Sequence, residues 1–318
     1  MLGRRALVVG IDDYPTSPLS GCVNDAIAVH ALLARNSDGS PNFDVQLLVS
    51  DQQEITRSSL RAAIERLFTH DTAEVALLYF SGHGTENGLG GYIVTPDARK
   101  YDEGINLSEI LTLANKSTAQ ERVVILDSCM SGGLGSVPAI DSSSANLTEG
   151  VSILSASRAG QAAMEVGNRG VFTGFVCSAL EGGAADVVGN VHAAAVYSYV
   201  EEGLGPWDQR PLFKAHLSTM IPLRKAEPAV QIDVLRTLPQ WFPEKESLYP
   251  LDPSYEYTHE SADKDHVTIF KKLQLCRDAK LVESVDEAFM YFAAVNSTAC
   301  RLTRLGQHYW HLAKKGRL

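Results

Sequence analysis

The chain has 318 residues, enough for one large domain or two smaller ones. At 45% hydrophobic and 21% charged it has an ordinary globular composition, which excludes disorder, collagen and coiled coil as its main state. The net charge of −10 argues against a chain-wide surface for nucleic acid or an anionic membrane. Five cysteines without a C-x-x-C pair argue against a disulfide framework or a zinc ribbon. The first residues carry two arginines and a short apolar run, without the length or cleavage site of a signal peptide. No apolar run approaches the ~20 residues needed to span a bilayer. The expectation is a cytoplasmic protein with reduced thiols and no membrane partner.

Apolar runs alternate with helical patterns along the first two-thirds. Ala6 to Ile11 reads as a buried strand and Asn24 to Ala34 as an amphipathic helix. Val45–Val49 is a second strand, Thr56–Phe68 a helix, and Val75–Phe80 a third strand. Leu107–Ala114 is a helix and Val123–Leu126 a fourth strand. Continuous apolar strands separated by helices predict an α/β fold, with a mostly parallel sheet covered on both faces. Ligands of such a sheet sit beyond the carboxyl ends of its strands. Gly132 to Gly150, rich in Gly, Ser, Pro and Asn, reads as a loop. A strand over Val151–Ser155, helices over Phe172–Leu180 and Val191–Glu202 and a last strand near Pro211–Leu217 follow.

Two strands end in the groups a thiol hydrolase needs. One runs into Ser81-Gly82-His83-Gly84 and another into Asp127-Ser128-Cys129-Met130-Ser131-Gly132, with Cys129 46 residues after His83. A free thiol near pKa ~8.5 is only slightly ionised at neutral pH, so a neighbouring imidazole is its usual activator. Glycines beside the histidine permit a sharp turn and close approach to a substrate. The peptide N–H groups of Gly84 and Cys129 are candidates for an oxyanion hole. Taken singly, a cysteine after a strand is more often a small buried hydrophobe.

Strand-Ser-Gly-His-Gly followed by strand-Asp-Ser-Cys-x-Ser-Gly resembles the caspase-like cysteine peptidases (peptidase C14), closest to the metacaspases and their bacterial relatives, the orthocaspases. The segments Ala6 to Tyr14 and Leu19 to Ala26 share in the resemblance, which covers about residues 3–218. It implies a caspase-like sandwich, with Cys129 as nucleophile and His83 as general acid/base. No third triad member is evident, and the family typically works as a dyad. The resemblance also implies an acidic pocket for Arg or Lys before the cut, carried over to Cys22, Asp25, Ser81 and Asp127. A carboxylate pair at a sheet edge would hold a guanidinium and repel an acid. Alternatively Asp25 caps the helix that begins there, and Asp127 is a solvated turn acid.

Three departures from the family pattern carry expectations. The paired acids associated with calcium appear here as Asn106-Leu107, after Thr95-Pro96-Asp97 and Asp102-Glu103, which argues against calcium activation; no cofactor or metal is expected. No Lys or Arg lies between Cys129 and Arg158, so an Arg/Lys-specific enzyme could not cut its own loop and would act as one chain. Met130, where relatives commonly have His, alters only the rim.

The expected organisation is a peptidase domain over 1–235, large-subunit-like to about 132, with a loop over 133–150 and a small-subunit-like part over 151–235. A linker over 236–262 leads to an α+β module over 263–318, winged-helix-like, with Phe289–Ala293 as a strand and Leu302–Leu312 as its last helix. Residues 260–318 carry 10 Lys/Arg against 7 Asp/Glu, net +3. That module fits docking of a regulatory partner protein better than structural packing, and nucleic acid least. The function expected is a cysteine endopeptidase cleaving after Arg or Lys, regulatory or defensive in a bacterium. The alternatives are a silent caspase-like scaffold and a DNA- or partner-binding regulator led by the C-terminal module.

Overall fold

The computed structural model describes residues 3–69, 73–87, 90–100, 102–128, 147–156, 169–204 and 211–318. They form two compact units, Met1–Ala185 with Asn190–Glu227, and Pro228–Leu318 with Asp186–Gly189.

The first unit is built on a six-stranded sheet. In chain order it contains β1 (Gly3–Gly10), α1 (Cys22–Ala34), β2 (Asp44–Val49), α2 (Arg57–Thr69), β3 (Ala73–Ser81), β4 (Gly84–Asn87), β5 (Gly90–Arg99), β6 (Asp102–Asn106), α3 (Leu107–Lys116), β7 (Glu121–Asp127) and β8 (Val151–Ser155). Then come α4 (Val171–Ser178), which continues into a π-helical turn over Ala179–Gly183, β9 (Asn190–Val191), α5 (Ala193–Leu204), β10 (Leu212–His216) and β11 (Arg224–Lys225). The sheet order is β10-β8-β7-β3-β1-β2, parallel throughout except for β10 against β8. This is the caspase-like α/β sandwich the sequence predicts.

Side-chain alternation explains why the strands read as unbroken apolar runs. On β3, Ala76, Leu78 and Phe80 face a core shared with Leu60, Ile64 and Phe68 of α2 and Ile110 of α3. Val75, Leu77 and Tyr79 face the opposite core, with Ala26 and Val29 of α1, Phe172 and Val176 of α4 and Val196 of α5. Successive side chains point to opposite faces, so a strand covered on both sides must be apolar at every position. The register places Gly10 beside Ser81 and Ser81 beside Asp127, so β1, β3 and β7 end in one row.

Three features were not visible in the sequence. The segments Gly84–Asn87, Gly90–Arg99 and Asp102–Asn106, unassigned there, form a second sheet in the antiparallel order β4-β5-β6. The helix expected from Asn24 begins at Cys22, and its first amides are taken by a residue outside it. Asp12 accepts from Cys22 N at 2.9 Å and Val23 N at 3.2 Å. Buried Arg122 holds the segment entering β8, donating to Thr148 Oγ1, Glu149 O and the carbonyls of Ala114, Ala119 and Gln120. Most of the loop expected over 133–150 lies outside the described residues.

The second unit starts at Pro228, and the expected linker over 236–262 is part of its body. It contains α6 (Ile232–Trp241), β12 (Leu248–Pro250), a 3-10 turn over Pro253–Tyr255, α7 (Lys264–Asp278), β13 (Val282–Val285), α8 (Met290–Val295), β14 (Ala299–Leu302) and α9 (Arg304–Lys314). Two aromatic residues of the expected linker, Phe242 and Tyr255, are core residues, buried with Phe270, Leu273 and Trp310. The Trp310 indole N–H donates to Phe242 O at 2.6 Å. Phe289–Ala293, expected as a strand, is the start of α8, where Met290, Ala293 and Ala294 bury at helical spacing. The antiparallel order is β12-β14-β13, and β13 and β14 are joined through α8 rather than by a hairpin wing.

Candidate active site

The row formed by the ends of β1, β3 and β7 carries the site. His83 follows β3 after Gly82, whose amide donates to Asp127 O at 3.2 Å and ties the turn to β7. Gly82 is tightly packed: a methyl group there would lie 2.5 Å from the Tyr14 hydroxyl and 2.8 Å from the Phe80 ring and would have to push them aside. The His83 backbone is held on both sides: its N–H donates to Tyr14 Oη at 3.0 Å, and its carbonyl accepts from Val94 N at 2.9 Å.

The imidazole is half-buried, with Nε2 2.6 Å from Ser17 O. A carbonyl only accepts, so Nε2 carries the proton of that bond and Nδ1 is left as the nitrogen for proton transfer. The Ser17 carbonyl was not foreseen from the sequence as a partner of His83. The signal is a main-chain atom in the loop after β1, which no residue type announces.

Val94 N bonds to His83 O across the Gly84–Ile93 pair, so that pair is of the non-hydrogen-bonded kind. The Gly84 N–H therefore stays outside the β4–β5 ladder. The other oxyanion candidate and the expected nucleophile, Cys129, lies outside the described residues, as do Met130 and Ser131. Ser128, directly before it, is buried at the end of β7.

The four residues expected to line the pocket come together. Asp25 lies in the first turn of α1 and is buried, so it is not the helix cap. Its carboxylate accepts from Gly170 N at 3.1 Å and from Ser81 Oγ at 3.3 Å. The Cys22 thiol bonds to Ser81 and is pushed well up by burial, with the Asp12, Asp127 and Asp25 charges adding to the shift. Asp127 is also buried rather than a solvated turn acid, and its Oδ2 accepts from Thr173 Oγ1 at 2.6 Å. Thr173 Oγ1 lies 2.5 Å from Tyr79 Oη and, with its proton given to the carboxylate, accepts from that hydroxyl.

A methyl group on Gly170 would lie 2.6 Å from Asp127 Oδ2 and 3.0 Å from Asp25 Oδ2, so both carboxylates converge on one point. Burial first, and then the Asp127 charge, push the Asp25 carboxyl up to about 7, against the opposing pull of Gly170 N–H, Ser81 and Arg169. Gly170 and Thr173 were missed in the sequence because they lie 145 and 46 residues from the acids they hold.

Among the described residues, no group of three or more His, Cys, Asp or Glu side chains is placed to hold a metal ion. Asp97 accepts twice from Arg57 N, at 3.0 and 3.2 Å, and Asp102 pairs with the Arg57 guanidinium at 2.6 Å. Asn106 caps α3 through Ser108 N. No helix among the described residues is long and apolar enough to cross a membrane.

Residues 3–220 match the family model of the peptidase C14 caspase domain. The chain belongs to the caspase-domain family. The caspase-domain fold is shared with the protein GSU0716 of Geobacter sulfurreducens, at TM-score 0.52 and 18% identity over 71% of this chain and 98% of that one. It is also shared with caspase-1 of Spodoptera frugiperda, at TM-score 0.50 and 13% identity over 71% and 91%. No curated protein matches the sequence. Membership of this family gives the domain the fold of cysteine peptidases, a family that acts on proteins.

Proposed function

We propose that the protein is a cysteine endopeptidase that cleaves after Arg or Lys. The observation that carries this reading is the convergence of Asp25 and Asp127 at Gly170, in the strand-end row that leads to His83. Two buried carboxylates repel one another, and a substrate guanidinium or ammonium entering between them relieves that repulsion. An aspartate side chain would add a third negative charge.

In the reaction His83 Nδ1 takes the Cys129 thiol proton, the thiolate attacks the carbonyl carbon of the bound Arg or Lys, and the tetrahedral oxyanion accepts from the N–H groups of Gly84 and Cys129. His83 Nδ1 gives a proton to the leaving amine as the C–N bond breaks and a thioester forms. It then takes a proton from water, whose oxygen attacks the thioester carbonyl, and Cys129 is released with the carboxylate product. Ser17 O keeps Nε2 protonated throughout.

Three further properties belong to this reading. The enzyme works without calcium, since Arg57 already occupies Asp97 and Asp102. It works as one uncut chain, since no basic residue lies between Cys129 and Arg158. The C-terminal unit takes a protein partner, supported by the exposed aromatic trio Phe289, Tyr291 and Phe292 on and beside α8.

A fluorogenic peptide panel with Arg, Lys or Asp before the cut, assayed in calcium and in chelator, tests the reading. Arg and Lys peptides should turn over at equal rates in both buffers, with the protein still at 34.5 kDa by mass spectrometry. Hydrolysis of Asp peptides alone, or activity seen only after a cut between Cys129 and Val151, would overturn it.

A further inference from the structure

We propose that Tyr14 is a positioning residue that holds His83 in its working orientation. The inference rests on His83 being the general acid/base. Tyr14 is 6% exposed and sits in the loop between β1 and α1. Its hydroxyl accepts from His83 N at 3.0 Å and donates to Val94 O at 3.2 Å. Val94 N returns to His83 O at 2.9 Å. These three bonds close a ring through the hydroxyl, the histidine backbone and β5, so both peptide groups of His83 are fixed. The Tyr14 ring also lies against the imidazole, with centroids 4.5 Å apart at 55°.

The same short loop fixes the other end of the imidazole, because Ser17 O holds Nε2. The loop is itself anchored. Tyr14 N and Leu19 N both donate to Asp12 O at 2.9 Å, and Asp12 N donates to Ser50 Oγ at 3.0 Å. Backbone and ring of the histidine are thus set by one anchored segment, and only a tyrosine can serve it. A phenylalanine would keep the ring contact but would leave the His83 N–H and Val94 O without their bridge. Burial raises the phenol well beyond its ordinary titration range, so the hydroxyl stays protonated and can both donate and accept. Gly82 leaves room for that hydroxyl and for nothing else, at 2.5 Å from a would-be methyl group.

Displacing a proton-transfer group by ~1 Å costs on the order of 100-fold in rate. Tyr14→Phe is therefore expected to lower kcat about 10- to 100-fold on an Arg peptide, counted per site titrated with an irreversible thiol inhibitor. KM should stay within about two-fold, because the acid pair is untouched. Gly82→Ala pushes the hydroxyl aside without deleting it and should lower kcat similarly. The double variant should fall no further, since both act on one contact. If Tyr14→Phe fails to fold, Gly82→Ala carries the same comparison. A Tyr14→Phe enzyme with wild-type kcat per titrated site, or one that loses only KM, would overturn the role of Tyr14 and leave the peptidase reading intact. A wild-type enzyme that cleaves no peptide would overturn both.

Discussion

Replacing Cys129 with alanine is expected to lower hydrolysis of an Arg peptide roughly ten-thousand-fold or more. Cys129, two residues after the end of β7 in the sequence, is the nucleophile of the proposed reaction, and its loss removes the thiol that would form the thioester. His83→Ala should be nearly as damaging, because without Nδ1 neither thiolate formation nor amine departure has a proton partner. The double variant should be no slower than the worse single one, as residues acting as a unit lose activity non-additively. In His83→Ala the Ser17 carbonyl remains but has no imidazole to orient. Initial rates for the three variants, with thermal unfolding to verify the fold, check this. A Cys129→Ala protein with more than trace activity would contradict it.

Asp25→Asn is expected to weaken use of Arg substrates by about 30- to several-thousand-fold, the range of about 2–5 kcal/mol for losing one partner of a desolvated charged contact. The loss should fall on kcat/KM through KM, because His83 and Cys129 are unchanged. The pH dependence separates this from dyad chemistry. In the free protein the Asp25 carboxyl is pushed up to about 7, so it is largely protonated at pH 6. A guanidinium favours the ionised form and releases that proton on binding. KM for Arg substrates should therefore rise about ten-fold between pH 8 and pH 6 in wild type, and far less in Asp25→Asn.

Folding carries the opposite sign. The native carboxyl binds its proton more tightly than the unfolded one, whose value is 3.8, so this group's contribution to stability falls as pH rises from about 4 to 7. Asp25→Asn should consequently be more heat-stable than wild type above pH 7. A variant with wild-type KM at every pH would remove Asp25 from the pocket.

The sequence shows the central strands and the polar turns at their ends, because burial on both faces demands continuous apolar runs, and polar residues stand out where those runs stop. Ser81, His83 and Asp127 are legible for that reason. Ser17 and Tyr14 are not: one acts through a carbonyl, and the other bridges to a residue 69 positions away. Gly170 and Thr173 escape in the same way, as nothing local marks a glycine as the meeting point of two carboxylates. The second sheet of β4, β5 and β6 is short and half-exposed, so its pattern carries little apolar signal. In the second unit, Trp241, Phe242 and Tyr255 lie among prolines, and that composition suggests a connector although two of the three are buried.

The most direct measurement is covalent capture. The intact protein is incubated with two peptidyl thiol-reactive probes that differ only in Arg or Asp before the reactive carbon, and the adduct is located by peptide mass spectrometry. The account predicts one equivalent of the Arg probe on Cys129, slowed strongly in Asp25→Asn, and no labelling by the Asp probe. Labelling of Cys129 by the Asp probe at an equal rate, or capture of the Arg probe at another cysteine, would contradict it.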